Sequence, residues 1–411
     1  MIINNDKEII RKLATKVAEI AALPVQEEKR SMWSNLNALK PNRPMVMIDQ
    51  VCWNEMNIDD ELTLQCRDDE CRDYEETLRR ILFQWKRFPV DMVVEPFIRV
   101  PKAINNSGFG ITIEENTAAT DSNNEVVSHL FKNQFETEED LEKIQTPVIT
   151  HDRMETERRE TVAHELFDGL LDVNMWGADP PMSIWDPLAK WMGVENALFS
   201  IIDKREYVHK ILNRMTDGYL SMLDQLEEQG LLCGGQSLIH CTGAYTEDLP
   251  ASGYDPDKPR TKDLWMFTMA QVLGSVSPKM FQEFEITYTS KICNRFGLVY
   301  YGCCDPLHDR MKQVRMLPNV RKVSMSPWTD EERGAAEIGS DFVFSRKPNP
   351  VSVAMDDFDA NAVRKDLTNS REICVKNGCP TEYILKDIST VRYQPLRLTK
   401  WANIAMQVVG G

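Results

Sequence analysis

The residue types able to do chemistry cluster at the ends of short apolar runs. They are His151 with Asp152 and Glu155; Trp176; His240-Cys241; Tyr301 with Cys303-Cys304 and nearby His308; Ser324, Ser326 and Trp328; Ser345, Lys347 and Asn349; and Lys386-Asp387. Three of the six histidines fall in this set. Thiolate and imidazole donors converging from different strand ends suit Zn²⁺, which takes roughly tetrahedral N/S sites and keeps one position open for catalysis. Cys303 and Cys304 therefore read either as metal ligands or as small buried side chains, since free cysteine packs like a small hydrophobe. Glu283 stands in the first two turns of a helix opened by Ser277-Pro278, where it is a further metal ligand or a solvated carboxylate. Asp387 reads as ligand, proton acceptor or partner of Lys386, and His240 as a catalytic or a hydrogen-bonded histidine. His151, Trp176, Tyr301, Trp328, Lys347 and Asn349 form a candidate substrate-binding set, with packing the alternative for the aromatics.

The elements that must position these residues follow from patterning. From about residue 90, short β-branched runs alternate with long helical stretches, the pattern of repeated βα units. Eight runs are found: 97–100, 147–151, 173–176, 237–241, 297–301, 320–324, 342–345 and 383–386. Helical stretches are expected at 154–171, 195–229, 277–295, 307–316, 330–338, 359–376 and 395–408. Eight strands each followed by a helix predict a closed (β/α)₈ TIM barrel over residues 91–411, whose active site lies where strands end. Residues 1–90 read as a mostly helical N-terminal extension packed on that barrel. Ile9, Ile10, Leu13, Val17 and Ile20 recur at helical spacing, as do Leu78, Ile81, Leu82 and Trp85. The apolar run 43–51 reads as an isolated strand or a segment laid over the core.

Composition narrows the class. In 411 residues there are 64 acidic and 48 basic side chains, a net charge of −16 that opposes binding to a phosphate backbone. No stretch approaches the roughly 18 apolar residues that span a bilayer. Ten cysteines are too sparse for a disulfide scaffold. These features predict a reduced, cytoplasmic protein with no nucleic-acid or membrane partner. Neither a phosphate-cradling glycine loop nor a serine nucleophile elbow is present.

The stretches Gly297-Leu-Val-Tyr-Tyr-Gly-Cys-Cys-Asp-Pro-Leu-His308, Leu317-Pro-Asn-Val-Arg-Lys-Val-Ser-Met-Ser-Pro-Trp328, Lys347-Pro-Asn-Pro350 and Ile384-Leu-Lys-Asp-Ile-Ser389 resemble the uroporphyrinogen decarboxylase superfamily, and within it the corrinoid-dependent methyltransferases of anaerobes. The resemblance implies a (β/α)₈ barrel, a zinc site built from a His-x-Cys motif and a final-strand cysteine, and cobalamin carried by a partner. Laid on this chain, the motif falls on Tyr301-Gly302-Cys303, so the cysteine matches and the histidine does not, and Lys386-Asp387 stands in the region of the final cysteine. A rebuilt ligand set would draw on Cys303 or Cys304 with His240, Glu283 or Asp387. No Asp-x-His-x-x-Gly corrinoid motif occurs, so a separate corrinoid protein would be the methyl acceptor. The leading expectation is O-demethylation of an aromatic methyl ether. The alternatives are a metal-free decarboxylase or lyase on the same barrel, for which the arginine-rich segment of the decarboxylases is lacking, and a non-catalytic tetrapyrrole-binding barrel.

Overall fold

The computed structural model describes residues 4–119 and 127–410. Its strands are β1 Met45–Ile48, β2 Phe97–Pro101, β3 Ile104–Asn106, β4 Glu115–Ala119, β5 Val127–Phe131, β6 Ile149–His151, β7 Asp172–Trp176, β8 Leu238–Ile239, β9 Thr242–Gly243, β10 Trp265–Thr268, β11 Leu298–Tyr301, β12 Val320–Met325, β13 Val343–Arg346 and β14 Thr381–Leu385. One six-stranded sheet is parallel throughout, in the order β1-β14-β13-β12-β11-β10. A separate parallel pair joins β2 to β7, and a single bridge from Ala178 to Leu232 prolongs it. Helices alternate with these strands in sequence. The arrangement is barrel-like, but among the described residues no ladder joins β1 to β2 or β7 to β10, so the hydrogen-bonded barrel does not close. No described helix is long and apolar enough to cross a membrane.

Two of the eight expected runs do not pair in parallel at all. Residues 147–151 yield β6, antiparallel to β3, and the side chain of Val148 is exposed. Residues 237–241 yield half of a tight antiparallel hairpin, β8–β9, because His240 turns the chain with a φ of 53°. Their places are taken by β10 and β1. Strand β10 reads Trp-Met-Phe-Thr, apolar but hardly β-branched, and all four residues are buried. Strand β1 lies within the stretch expected to be an appended extension, yet it pairs with β14 from Met45↔Glu382 to Ile48↔Leu385. The run at 43–51 is thus neither isolated nor draped over the core.

Helix punctuation follows local chemistry. The Ser277 hydroxyl accepts from the Met280 N–H with Pro278 at the first helical position, and Asp359 accepts from the N–H groups of Asn361 and Ala362. The expected 195–229 helix breaks at Lys204 into Val194–Asp203 and Arg205–Glu228. The helix after Pro278 carries one π turn at Gln282–Ile286.

The N-terminal helices are tied to the rest by burial. Ile10 and Val17 of helix Asn4–Ala21 and Leu78 of helix Asp69–Arg87 share a cluster with Ile98 and Val100 of β2 and Phe167. Trp33, on helix Pro24–Asn37, lies against Gly243, where an added Cβ would sit 2.5 Å from the indole. Asn37 donates to the Gly243 and Tyr245 carbonyls at 3.0 and 2.7 Å. The N-terminal segment therefore clamps the base of the β8–β9 hairpin that presents His240.

Candidate active site

Parallel strands buried on both faces normally carry apolar side chains, but the interior of this sheet carries a polar ladder. Lys322 and Glu382 are both fully buried and paired at 2.8 Å, and Lys322 also donates to Thr242 Oγ1 at 3.0 Å. Ser345 Oγ donates to the other Glu382 oxygen at 2.5 Å. Lys347 donates to Ser345 Oγ and to the Tyr300 hydroxyl, each at 2.5 Å. The charges are closely partnered here, as burial requires.

Above this ladder, at the C-terminal ends of the strands, four segments meet. Gly302, with a φ of 90°, turns the chain after β11 so that Cys303 Sγ lies 3.7 Å from His240 Nε2 and 3.5 Å from Cys304 Sγ. Lys386 and Asp387 follow β14 directly. Lys386 Nζ is 3.4 Å from Cys303 Sγ and 2.7 Å from Asp387 Oδ2, and Cys304 Sγ donates to Asp387 Oδ2 at 3.6 Å. The backbone of the turn is pinned by Cys303 N–H donating to Asp305 Oδ1 and by Ser324 Oγ donating to the Cys303 carbonyl. The His240 ring lies flat on Phe267 of β10, 4.0 Å between centroids and 4° between planes.

This geometry fixes the charges. The hydrogen bond from Cys304 outweighs burial and, with His240 and Lys386, holds the Cys303 thiol far below its usual range, while Cys304 is pushed up by the neighbouring thiolate. Burial works against a charged His240, but its contacts with Cys241 and Cys303 raise it to about 9. These shifts favour a Cys303 thiolate facing a His240 imidazolium, with the Lys386 ammonium beside the thiolate. Beside it, burial raises Asp305 to about 6 and Glu285, on the π turn, to about 8.

Zinc is the metal the family resemblance implies. Bonds of about 2.0–2.3 Å at tetrahedral angles hold ligand atoms about 3.3–3.8 Å apart, and each successive pair from His240 through Cys303 and Cys304 to Asp387 has that spacing. Yet among the described residues no three His, Cys, Asp or Glu side chains gather so that they could hold one ion. The cation in contact with both Cys303 and Asp387 is the Lys386 ammonium. As arranged, the donors do not fit a zinc ion.

The structure brings together His240, Cys303, Cys304 and Asp387 of the expected site residues. Glu283 does not join them: it faces helix Arg205–Glu228, paired with Arg205 and with His209 Nε2 at 3.0 Å. Tyr301 points away from the interior, its hydroxyl donating to Glu285 at 3.1 Å; strand alternation gives the inward position to Tyr300. Lys347 lies in the ladder below the cluster. His151 Nε2 contacts Thr156 Oγ1 at 2.9 Å near the start of its helix, and Asn349 Oδ1 accepts from the Val351 N–H. Trp328 is 71% exposed. Trp176, at the end of β7, is covered by the Arg99 guanidinium, 4.1 Å from the ring centroid. Sequence reasoning missed Phe267, because it missed β10, and read Lys386 only as a partner of Asp387, not as a contact of Cys303.

Two cavities adjoin these residues. One of 580 Å³ is lined by His240, Phe267, Trp191, Tyr219, Asp186 and others. Another of 730 Å³ runs through the unclosed interval between β1 and β2, from Asp49 to Arg99. Solved structures share this fold. A methyltransferase from Methanosarcina mazei shares the fold. The TM-score is 0.50 at 10% identity, covering 92% of this chain and 98% of that one. No protein-family model and no curated protein matches the chain.

Proposed function

We propose that this chain is a methyltransferase that moves the methyl group of an aromatic methyl ether to the cobalt of a separate corrinoid protein. The observation that carries the reading is the place of His240: its Nε2 lies 3.7 Å from Cys303 Sγ and its ring is stacked on Phe267, on the wall of a 580 Å³ cavity. The fold shared with the M. mazei methyltransferase agrees with it.

An ether oxygen is a poor leaving group, so the reaction needs charge stabilisation where the phenolate develops. Co(I) of the partner attacks the methyl carbon, the carbon–oxygen bond breaks with its electron pair going to oxygen, and the cobalt ends as methyl-Co(III). His240 gives its proton to the departing oxygen. Cys241 and Cys303 favour the charged form of His240, Cys304 with His240 and Lys386 favours the Cys303 thiolate, and Asp387 fixes Lys386 in place. In this reading the acid is organic and zinc takes no part in a step.

The test is phenol release from methoxyaromatic donors in the presence of a Co(I)-charged corrinoid protein. General acid catalysis contributes about 10²–10⁴-fold, so a His240→Gln variant that stays folded is expected to lose about 100-fold or more. Undiminished release by that variant would remove His240 from the reaction.

A further inference from the structure

We propose that Arg99 is the anchor of a carboxylate-binding subsite, so that the 730 Å³ cavity takes a flat, apolar-bodied monocarboxylate. Arg99 lies on β2. Its guanidinium is spread over Trp176 at 4.1 Å, and one Nη donates to the hydroxyl of Ser237. Its Nε is buried without a hydrogen-bond partner, and among the described residues no carboxylate lies within ion-pair distance of it. Burial works against the charge, pushing the pKa down.

The neighbouring charges are already engaged. Glu95, the carboxylate closest in sequence, accepts from Arg30 at 2.9 Å and from the Tyr245 hydroxyl at 2.6 Å. Asp179 acts on Arg99 only through space and is held by Gln236 at 2.8 Å. The two other arginines on the cavity wall, Arg158 and Arg159, are paired with Glu155, and Arg158 also with Glu70. Arg99 is thus the cavity-lining guanidinium with spare donors, and its planar fork matches a carboxylate in two parallel hydrogen bonds. The volume is that of a small-molecule site, with Phe97, Met92 and Tyr245 supplying apolar wall. At the far end the cavity reaches Asp49, whose carboxyl senses the charges of His240, Lys386 and Asp387.

The inference goes beyond the proposed function: it concerns a cavity apart from the one His240 lines, and it does not rest on methyl transfer. The experiment is equilibrium binding to the full chain, by calorimetry, of 4-methoxybenzoate and its neutral isostere 4-methoxybenzamide. The acid is expected to bind about tenfold more tightly or better, Arg99→Met to erase the preference, and Arg99→Lys to keep part of it. Equal binding of acid and amide by the unmodified protein, no binding of the acid, or an unchanged preference in a folded Arg99→Met variant would each overturn the subsite. The first two outcomes need no variant to fold. Preference for the acid without any methyl transfer would leave the subsite standing and remove the methyltransferase reading alone.

Discussion

The six-stranded sheet and the β2–β7 pair treat buried charge in opposite ways. Inside the sheet, Lys322 has Glu382, Thr242 and the Gly243 carbonyl, and Glu382 has Lys322 and Ser345. On the pair, Arg99 has one hydroxyl and a tryptophan face. A satisfied buried ion holds a structure together, whereas a half-buried ion with open donors adds cost to the empty fold and is retained for what it binds. The difference separates scaffold from site within one barrel-like fold, and it coincides with the interval where the ladder fails to close.

Mutations can break this contrast. Replacing Lys322 with Met leaves Glu382 buried beside its hydrogen-bond partners but without its paired cation, and should cost about 3–5 kcal/mol in a denaturant melt. The Lys322→Met/Glu382→Leu double variant should recover much of the loss. If the single variant melts like the original, the ladder is not what stabilises the sheet. Gly243→Ala drives a Cβ into the Trp33 indole and should cost about 1–3 kcal/mol, with a larger fractional fall in methyl transfer if the hairpin carrying His240 shifts. A drop in stability with no change in activity would separate the clamp from the site.

The N-terminal segment offers a pH test. Burial raises the Glu75 carboxyl, but hydrogen bonds from the Cys66 N–H, the Arg79 side chain and the Gln65 N–H outweigh it, and the folded pKa is lowered. A depressed carboxylate contributes stability that is complete above the unfolded value of about 4.3 and is lost as pH falls through the lower folded value. Urea melts of the original chain should therefore weaken as pH falls from 5 toward 3, and Glu75→Gln should make that dependence shallower. Equal slopes would mean Glu75 is not among the groups that titrate on unfolding. The smallest expected effect is on the other side of the comparison: Arg99→Met should change stability by less than about 1 kcal/mol or raise it. A loss as large as that of Lys322→Met would show that Arg99 is scaffold after all.

How much was legible in the sequence depended on local signal. Strands β11 to β14 were readable because each is an apolar or β-branched run closed by chemically marked residues, and the same residues gave Cys303, Cys304 and Asp387. Strand β10 was hidden because Trp265-Met-Phe-Thr268 has no alternation and merges with the apolar residues that follow. The pairing of β1, within a run readable as an isolated strand, was hidden because its partner, β14, is more than 330 residues away along the chain, and nothing local announces such a pairing. Tyr301 shows the limit at the level of side chains. Its position at a strand end was right, but a one-residue change of parity decides whether a side chain faces the interior or the helices, and that parity comes from register. Trp176 was visible as a candidate, while the stacking of Arg99 on it is a tertiary fact.

The central claim is methyl transfer to cobalt, and the cobalt itself reports on it. The chain is mixed with a methoxyaromatic donor and a corrinoid protein charged as Co(I), and the absorbance is followed without chelator or added zinc. The account predicts conversion of Co(I) to methyl-Co(III), matched by release of the demethylated phenol and abolished in His240→Gln. If no donor in a broad panel methylates the cobalt, while a carboxylated substrate loses CO₂ with no corrinoid present, the account is contradicted and the barrel is a decarboxylase.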